Sequence, residues 1–130
     1  MGGENIKIRT KTLTINIGHL VLMLPYNAVN KQYISQIVRS SASVAANYRA
    51  ASRAKSDKDF INKLKICEEE ADETQLWLEL LAEFNKDFRE KIIPLYKECD
   101  ELLSIFVASI KTVRKKAEEK NILKYKKTGT

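Results

Sequence analysis

A chain of 130 residues holds one domain and one core, and its 44% hydrophobic and 31% charged content fits an amphipathic helical protein rather than a disordered one. Four glycines and two prolines are too few for a turn-rich fold, and two cysteines do not make a disulfide framework. The formal net charge of +6 fits either a polyanion partner or a solvated basic tail that aids solubility, while the best apolar run, residues 20–24, is far short of the roughly 20 residues that span a bilayer.

Residues 1–5 lack the basic-then-apolar pattern of a signal peptide, so a cytoplasmic location with no membrane partner is expected. The first helix is read over residues 10–24, with Leu13, Ile17, Leu20, Val21 and Leu24 at helical spacing. Residues 12–17 also alternate like a strand, but no other segment offers a strand to pair with. Pro25 ends this helix.

A second helix runs from Ala28 or Asn30 to Ala54, with Ile34, Ile37, Val38, Ser41, Val44, Ala45 and Tyr48 as its inner stripe. The small side chains of residues 40–46 predict a close helix crossing there. A third helix opens at Ser56, spaced from Asp59 as in a capping box. Phe60, Leu64, Cys67, Ala71, Thr74, Leu78 and Leu81 then recur at alternating steps of four and three. Trp77, Leu80 and Phe84 add a second stripe, which points to self-association.

The fourth helix begins either at an Asp87 cap closed by Glu90 or, more economically, with Pro94 in its first turn. It carries Leu95, Cys99, Leu102, Phe106, Ile110 and Val113 to about Lys120. Short connections between long helices predict an all-α, antiparallel up-and-down four-helix bundle. One domain is assigned to residues 1–120 and a basic flexible tail to residues 121–130.

Charge is unevenly placed. Residues 1–106 hold 15 Lys and Arg against 15 Asp and Glu, whereas residues 107–130 hold eight basic residues against Glu118 and Glu119. Within the body, residues 28–56 contain Lys31, Arg39, Arg49, Arg53 and Lys55 and no acid, while residues 57–86 contain nine acids and four basic residues. Folding one against the other brings Arg53 near Asp59 and Arg39 near Glu70 or Glu73, which sets the register of the two helices.

The acidic run at 68–73 invites a metal reading, but carboxylate di-metal bundles need Glu-x-x-His pairs, and His19 has no glutamate three residues before it. The sequence has no glycine-rich phosphate loop and no nucleophile elbow. Neither an enzyme nor a cofactor or metal is expected.

The block Arg39-Ser40-Ser41-Ala42-Ser43-Val44-Ala45-Ala46-Asn47-Tyr48-Arg49, together with residues 54–64, Glu70-Ala71-Asp72-Glu73-Thr74 and Trp77-Leu78, resembles a bacterial four-helix-bundle family encoded in intervening sequences of 23S ribosomal RNA genes. Gln36, Arg39, Ser40, Asn47, Arg49, Phe60, Lys63, Glu70, Glu73 and Trp77 carry the likeness. The accessory variability determinant of diversity-generating retroelements is similar at a greater distance. The resemblance implies a ring-shaped homopentamer without enzymatic activity and, from the retroelement branch, a basic surface that engages RNA and a reverse transcriptase.

The expected function is therefore a homo-oligomeric bundle that binds nucleic acid, RNA above all, with a protein-interaction scaffold as the alternative. Phosphate contacts are assigned to Arg39, Arg49, Arg53, Lys55, Lys58, Lys63, Lys111, Arg114, Lys115 and Lys116. Asn47, Glu70 and Glu73 are assigned to a structural polar network, in which Asn47 answers carboxylates of the third helix.

Overall fold

The computed structural model describes residues 2–127, and these form four α-helices and one short 3₁₀ turn, with no strand among them. Helix α1 spans Gly2–Met23, α2 Ala28–Ala51, α3 Asp57–Phe84 and α4 Arg89–Lys127, with the 3₁₀ turn at Lys86–Phe88. Each helix packs on its two neighbours and not on the one diagonally opposite, which makes a closed ring of four. The α2–α3 seam is the most extensive and the α1–α4 seam the least. The up-and-down bundle read from the sequence is the fold.

Helix α1 starts eight residues earlier than residue 10 because Ile6 and Thr10 continue its buried stripe through Leu13, Ile17 and Leu20. The first turns are held to α4 by Arg9. Its Nε donates to Glu98 Oε2 at 2.9 Å, its Nη2 to Glu98 Oε1 at 2.6 Å, and the same nitrogen lies 2.9 Å from Glu101.

Helix α2 is capped by Asn27, whose side chain accepts from the Asn30 amide at 2.8 Å. It ends at Ala51, three residues before the expected Ala54. Its inner stripe is turned slightly from the expectation: Val38 is exposed, Ile34 and Ala45 are half-buried, and Ser40 and Ser41 are buried. Small polar side chains tolerate a core only when their hydroxyls are paired. Ser40 Oγ meets Thr74 Oγ1 at 2.8 Å, and Thr14 Oγ1 donates to the Ser41 carbonyl at 2.9 Å.

Helix α3 opens at Ser56 as expected, with Ser56 Oγ accepting from the Asp59 amide at 3.1 Å. Leu64, Cys67, Ala71, Thr74, Leu78 and Leu81 form its buried seam, and Phe60 is half-buried at its start. The second stripe is partly covered within the chain: Trp77 and Leu80 are half-buried and Phe84 is exposed, with the Tyr33 ring 5.9 Å from both Trp77 and Phe84, centroid to centroid.

The start of α4 at Arg89 corrects the expectation that Pro94 would lie in its first turn. The helix keeps Pro94 inside because the turn before it buries Ile92, while the carbonyl that Pro94 leaves unbonded belongs to Glu90, which is exposed. At its other end α4 continues helically through Lys127 over the stretch assigned to a tail. Residues 128–130 of that tail lie outside the described residues. With 39 residues α4 is about 58 Å long, against about 42 Å for the 28 residues of α3. Its last buried residue is Ile110, so the remainder overhangs the bundle.

The end of the bundle opposite this overhang is locked by two amides. Asn30 Nδ2 donates to Asn85 Oδ1 and Asn85 Nδ2 to Asn30 Oδ1, each at 2.8 Å, and the remaining donors reach the carbonyls of Pro25 and Leu81. Both side chains are buried, so removing one strands the other. Asn30→Ala and Asn85→Ala should each lower the unfolding free energy by about 1 to 3 kcal/mol. In urea melts the double variant should lose clearly less than the sum of the two; additive losses would show that the amides act independently.

Candidate nucleic-acid interface

Antiparallel packing puts the C-terminal end of α2, the N-terminal end of α3 and the middle of α4 at the same end of the bundle. The Tyr48 and Phe106 rings lie 5.9 Å apart, and Val113 shares a cleft with Ala51, Ser52, residues 54–57 and Phe60. Nine of the ten cations assigned to phosphate contact gather here. Arg49 ends α2, Arg53 and Lys55 lie in the connection, and Lys58 and Lys63 stand on the first turns of α3. Lys111, Arg114, Lys115 and Lys116 follow where α4 leaves the core. All but the half-buried Lys63 are exposed, and none of the nine makes an ion pair among the described residues.

Part of this placement serves the helices themselves. Arg49 in the last turn of α2, and Lys126 and Lys127 at the end of α4, sit where the helix dipole is negative, while Asp57 and Asp59 sit at the positive start of α3. Each such charge contributes about 0.3 to 1 kcal/mol when exposed. The dipole accounts for the sign at helix ends. It does not account for Lys111 through Lys116, which lie well inside α4.

Arg39 is the exception among the assigned residues. It sits midway along α2, where its guanidinium reaches Glu70 at 3.2 Å and also pairs with Glu73. Trp77 Nε1 donates to the same Glu73 carboxylate at 3.2 Å. Two carboxylates neutralise this cation within the fold and tie α2 to α3 at that level. The antiparallel reading anticipated the pairing with Glu70 and Glu73. Asn47, by contrast, does not join that network: its Nδ2 turns back one helical turn to the carbonyl and hydroxyl of Ser43, at 2.9 and 3.0 Å. A side-chain amide in a helix reaches its own preceding turn more readily than a neighbouring helix. The expected Arg53–Asp59 pair is absent among the described ion pairs as well.

The thiols are packing groups. Cys67 and Cys99 are buried, their S–H groups face the carbonyls of Val44 and Ala71, and burial pushes each up to about 12. A thiol held protonated is a poor nucleophile. Among the described residues no group of three or more His, Cys, Asp and Glu stands where it would hold a metal, and no helix is long and apolar enough to cross a membrane.

The family model for the 23S rRNA-intervening sequence protein matches residues 6–108. The chain belongs to this family. The match begins at Ile6, the first buried residue of α1, and stops at Ala108, so the intervening-sequence family model covers the bundle and leaves the cations from Lys111 onward outside it. A crystal structure described as a protein of unknown function from the S23 ribosomal protein family of Bacteroides thetaiotaomicron is 35% identical, with a TM-score of 0.74. The likeness covers 85% of this chain and 99% of that one. No curated protein matches.

Burial pushes the Glu73 carboxyl up, but the Trp77 N–H and the Arg39 guanidinium outweigh it and hold it below the ordinary carboxylate range. A lowered folded value means that the unfolded chain takes the proton first, so the contribution is full above the ordinary range and is lost as pH falls through the folded value. Arg39→Gln should cost up to about 1 kcal/mol near neutrality, the range for a largely exposed pair. Glu73→Gln should approach wild-type stability as the pH drops into the acid range; a gap that does not change with pH would show that the carboxylate contributes nothing there.

Proposed function

We propose that this protein is a non-enzymatic homo-oligomer that binds nucleic acid, RNA above all, through the cationic end of its bundle. The observation that carries this reading is the division of the cations. Arg9, Arg39, Lys86 and Arg89 are met by carboxylates; of the cations without an ion pair among the described residues, nine gather at the overhanging end, whereas others such as Lys31 and Lys91 stand apart from them. Unpaired surface cations on a rigid frame favour a polyanion, because each phosphate they neutralise releases a condensed counterion. Such contacts fix position without reading sequence. RNA is the polyanion favoured by the family resemblance.

Self-association is supported by the outer face of α1. Ile8, Ile15 and Leu22 recur every seven residues and are exposed, Leu22 at 84%, and Tyr26 follows at 87%. Apolar residues in that spacing form a seam for another helix. A homopentameric ring, as the resemblance implies, whose axis follows the helices would gather the cationic ends on one face and add avidity. The same apolar stripe favours the second reading, a scaffold whose partner is a protein and for which nucleic acid is irrelevant.

Filter binding of structured RNA at two salt concentrations, with light scattering of the unliganded protein, tests the first reading. Doubling the ionic strength should weaken binding about tenfold if roughly four phosphates are contacted. The combined Lys111→Glu, Arg114→Glu, Lys115→Glu and Lys116→Glu variant should bind weakly, with a shallower salt dependence and unchanged light scattering. Salt-insensitive binding, or none, removes the nucleic-acid role.

A further inference from the structure

Where α4 leaves the core, the α2–α3 connection does not close onto it. A cleft of about 440 Å³ remains between them, lined by Ser52, Ala54, Lys55, Asp57, Phe60 and Val113 among others. It continues past Phe60 into a second hollow of about 340 Å³ along α4, lined by Ile105, Ala108, Ser109 and Thr112, with Phe60 and Val113 common to both. Phe60 is packed against the core yet only half-buried. The floor of the cleft is thus aromatic and aliphatic.

Five cations stand in or next to the lining: Lys55 lines the cleft, and Arg53, Lys58, Lys111 and Arg114 neighbour lining residues in the chain, as the acid Asp59 does. All five are exposed and make no ion pair among the described residues. Asp57 is the one acid in the lining.

We infer that this cleft receives an unpaired nucleobase of RNA, stacked on Phe60, while the surrounding cations hold the flanking phosphates. The inference rests on the RNA reading above and narrows it to a class of RNA. An aromatic and aliphatic surface at the end of the bundle where cations outnumber acids is complementary to one kind of chain, in which flat aromatic groups alternate with anions. An apolar helix from a protein partner would fill the slot and leave the cations unanswered. A base inside a duplex hides both faces in the stack, so the ligand is a loop, bulge or single strand. Aromatic side chains accept any base face, which makes the recognition tolerant of sequence, and the Asp57 carboxylate can accept a hydrogen bond from a base N–H.

Fluorescence anisotropy on the full chain separates this inference from the reading beneath it. Three labelled RNAs are compared at fixed salt: a hairpin with a base-bearing loop, the same hairpin with an abasic loop, and a blunt duplex. The abasic hairpin keeps the phosphates and removes only the bases. The base-bearing loop should bind about tenfold tighter than either of the others, as expected for a stacked base. Phe60→Leu keeps apolar bulk without a ring and should abolish that ratio, leaving the abasic-loop affinity, the salt dependence and the melting temperature where they were; Phe60→Trp should keep the ratio. Equal binding of base-bearing and abasic loops with normal salt dependence overturns the base cleft and leaves RNA binding standing. Absence of salt-sensitive binding to all three overturns both. The wild-type comparison decides the matter even if a Phe60 variant fails to fold.

Discussion

Helix α2 has no acid between Ala28 and Ala51, and it lies antiparallel against α3, whose carboxylates crowd the stretch from Glu68 to Glu73. Small side chains at Ser40, Ser41 and Val44 let the two helices approach, and the hydroxyl pair of Ser40 and Thr74 keeps that approach from burying a stranded donor. The charges meet only at Arg39. Further along α2 the facing part of α3 carries its own lysines, Lys58, Lys63 and Lys65, among its acids. The seam therefore neutralises itself in the middle and leaves positive charge at one end. The position of the cationic surface follows from that register.

The two ends of the bundle are consequently unlike. One is sealed by the reciprocal Asn30–Asn85 amides, which tie the start of α2 to the end of α3 and leave no unmatched donor. The other stays open, with a cleft floored by Phe60 and Val113 and a helix that runs on past it. Both ends leave apolar side chains accessible, Leu22, Tyr26 and Phe84 at the amide-locked end and Phe60 at the other, but only at the second do they stand beside the cluster of unpaired cations.

Much of this was legible in the chain itself. The apolar steps of four and three in α3 and α4 specify helices and their inner faces because nothing but burial explains such spacing, and the opposite charges of residues 28–56 and 57–86 located the partners of Arg39. Three features were not legible, each for a physical reason. The early turns of α1 look polar because Lys7 and Arg9 separate Ile6 from Leu13, although Arg9 is there to reach Glu98. Pro94 reads as a helix start, and only the burial of Ile92 shows that the turn before it is worth forming. A buried amide pair such as Asn30 and Asn85 has no periodic signature, since its partners lie 55 residues apart. The cleft at Phe60 is likewise a product of packing: in sequence Phe60 is one more member of the apolar seam.

On the proposed reading, nucleic acid meets the bundle at the end where unpaired cations gather. Lysine acetylation footprinting with and without structured RNA, read by mass spectrometry at low salt, tests it most directly. Lys55, Lys58, Lys111, Lys115 and Lys116 should be protected, with Lys31, Lys86 and Lys91 at the amide-locked end modified as in the protein alone. Protection at the sealed end, or protection spread evenly over the bundle, would contradict it.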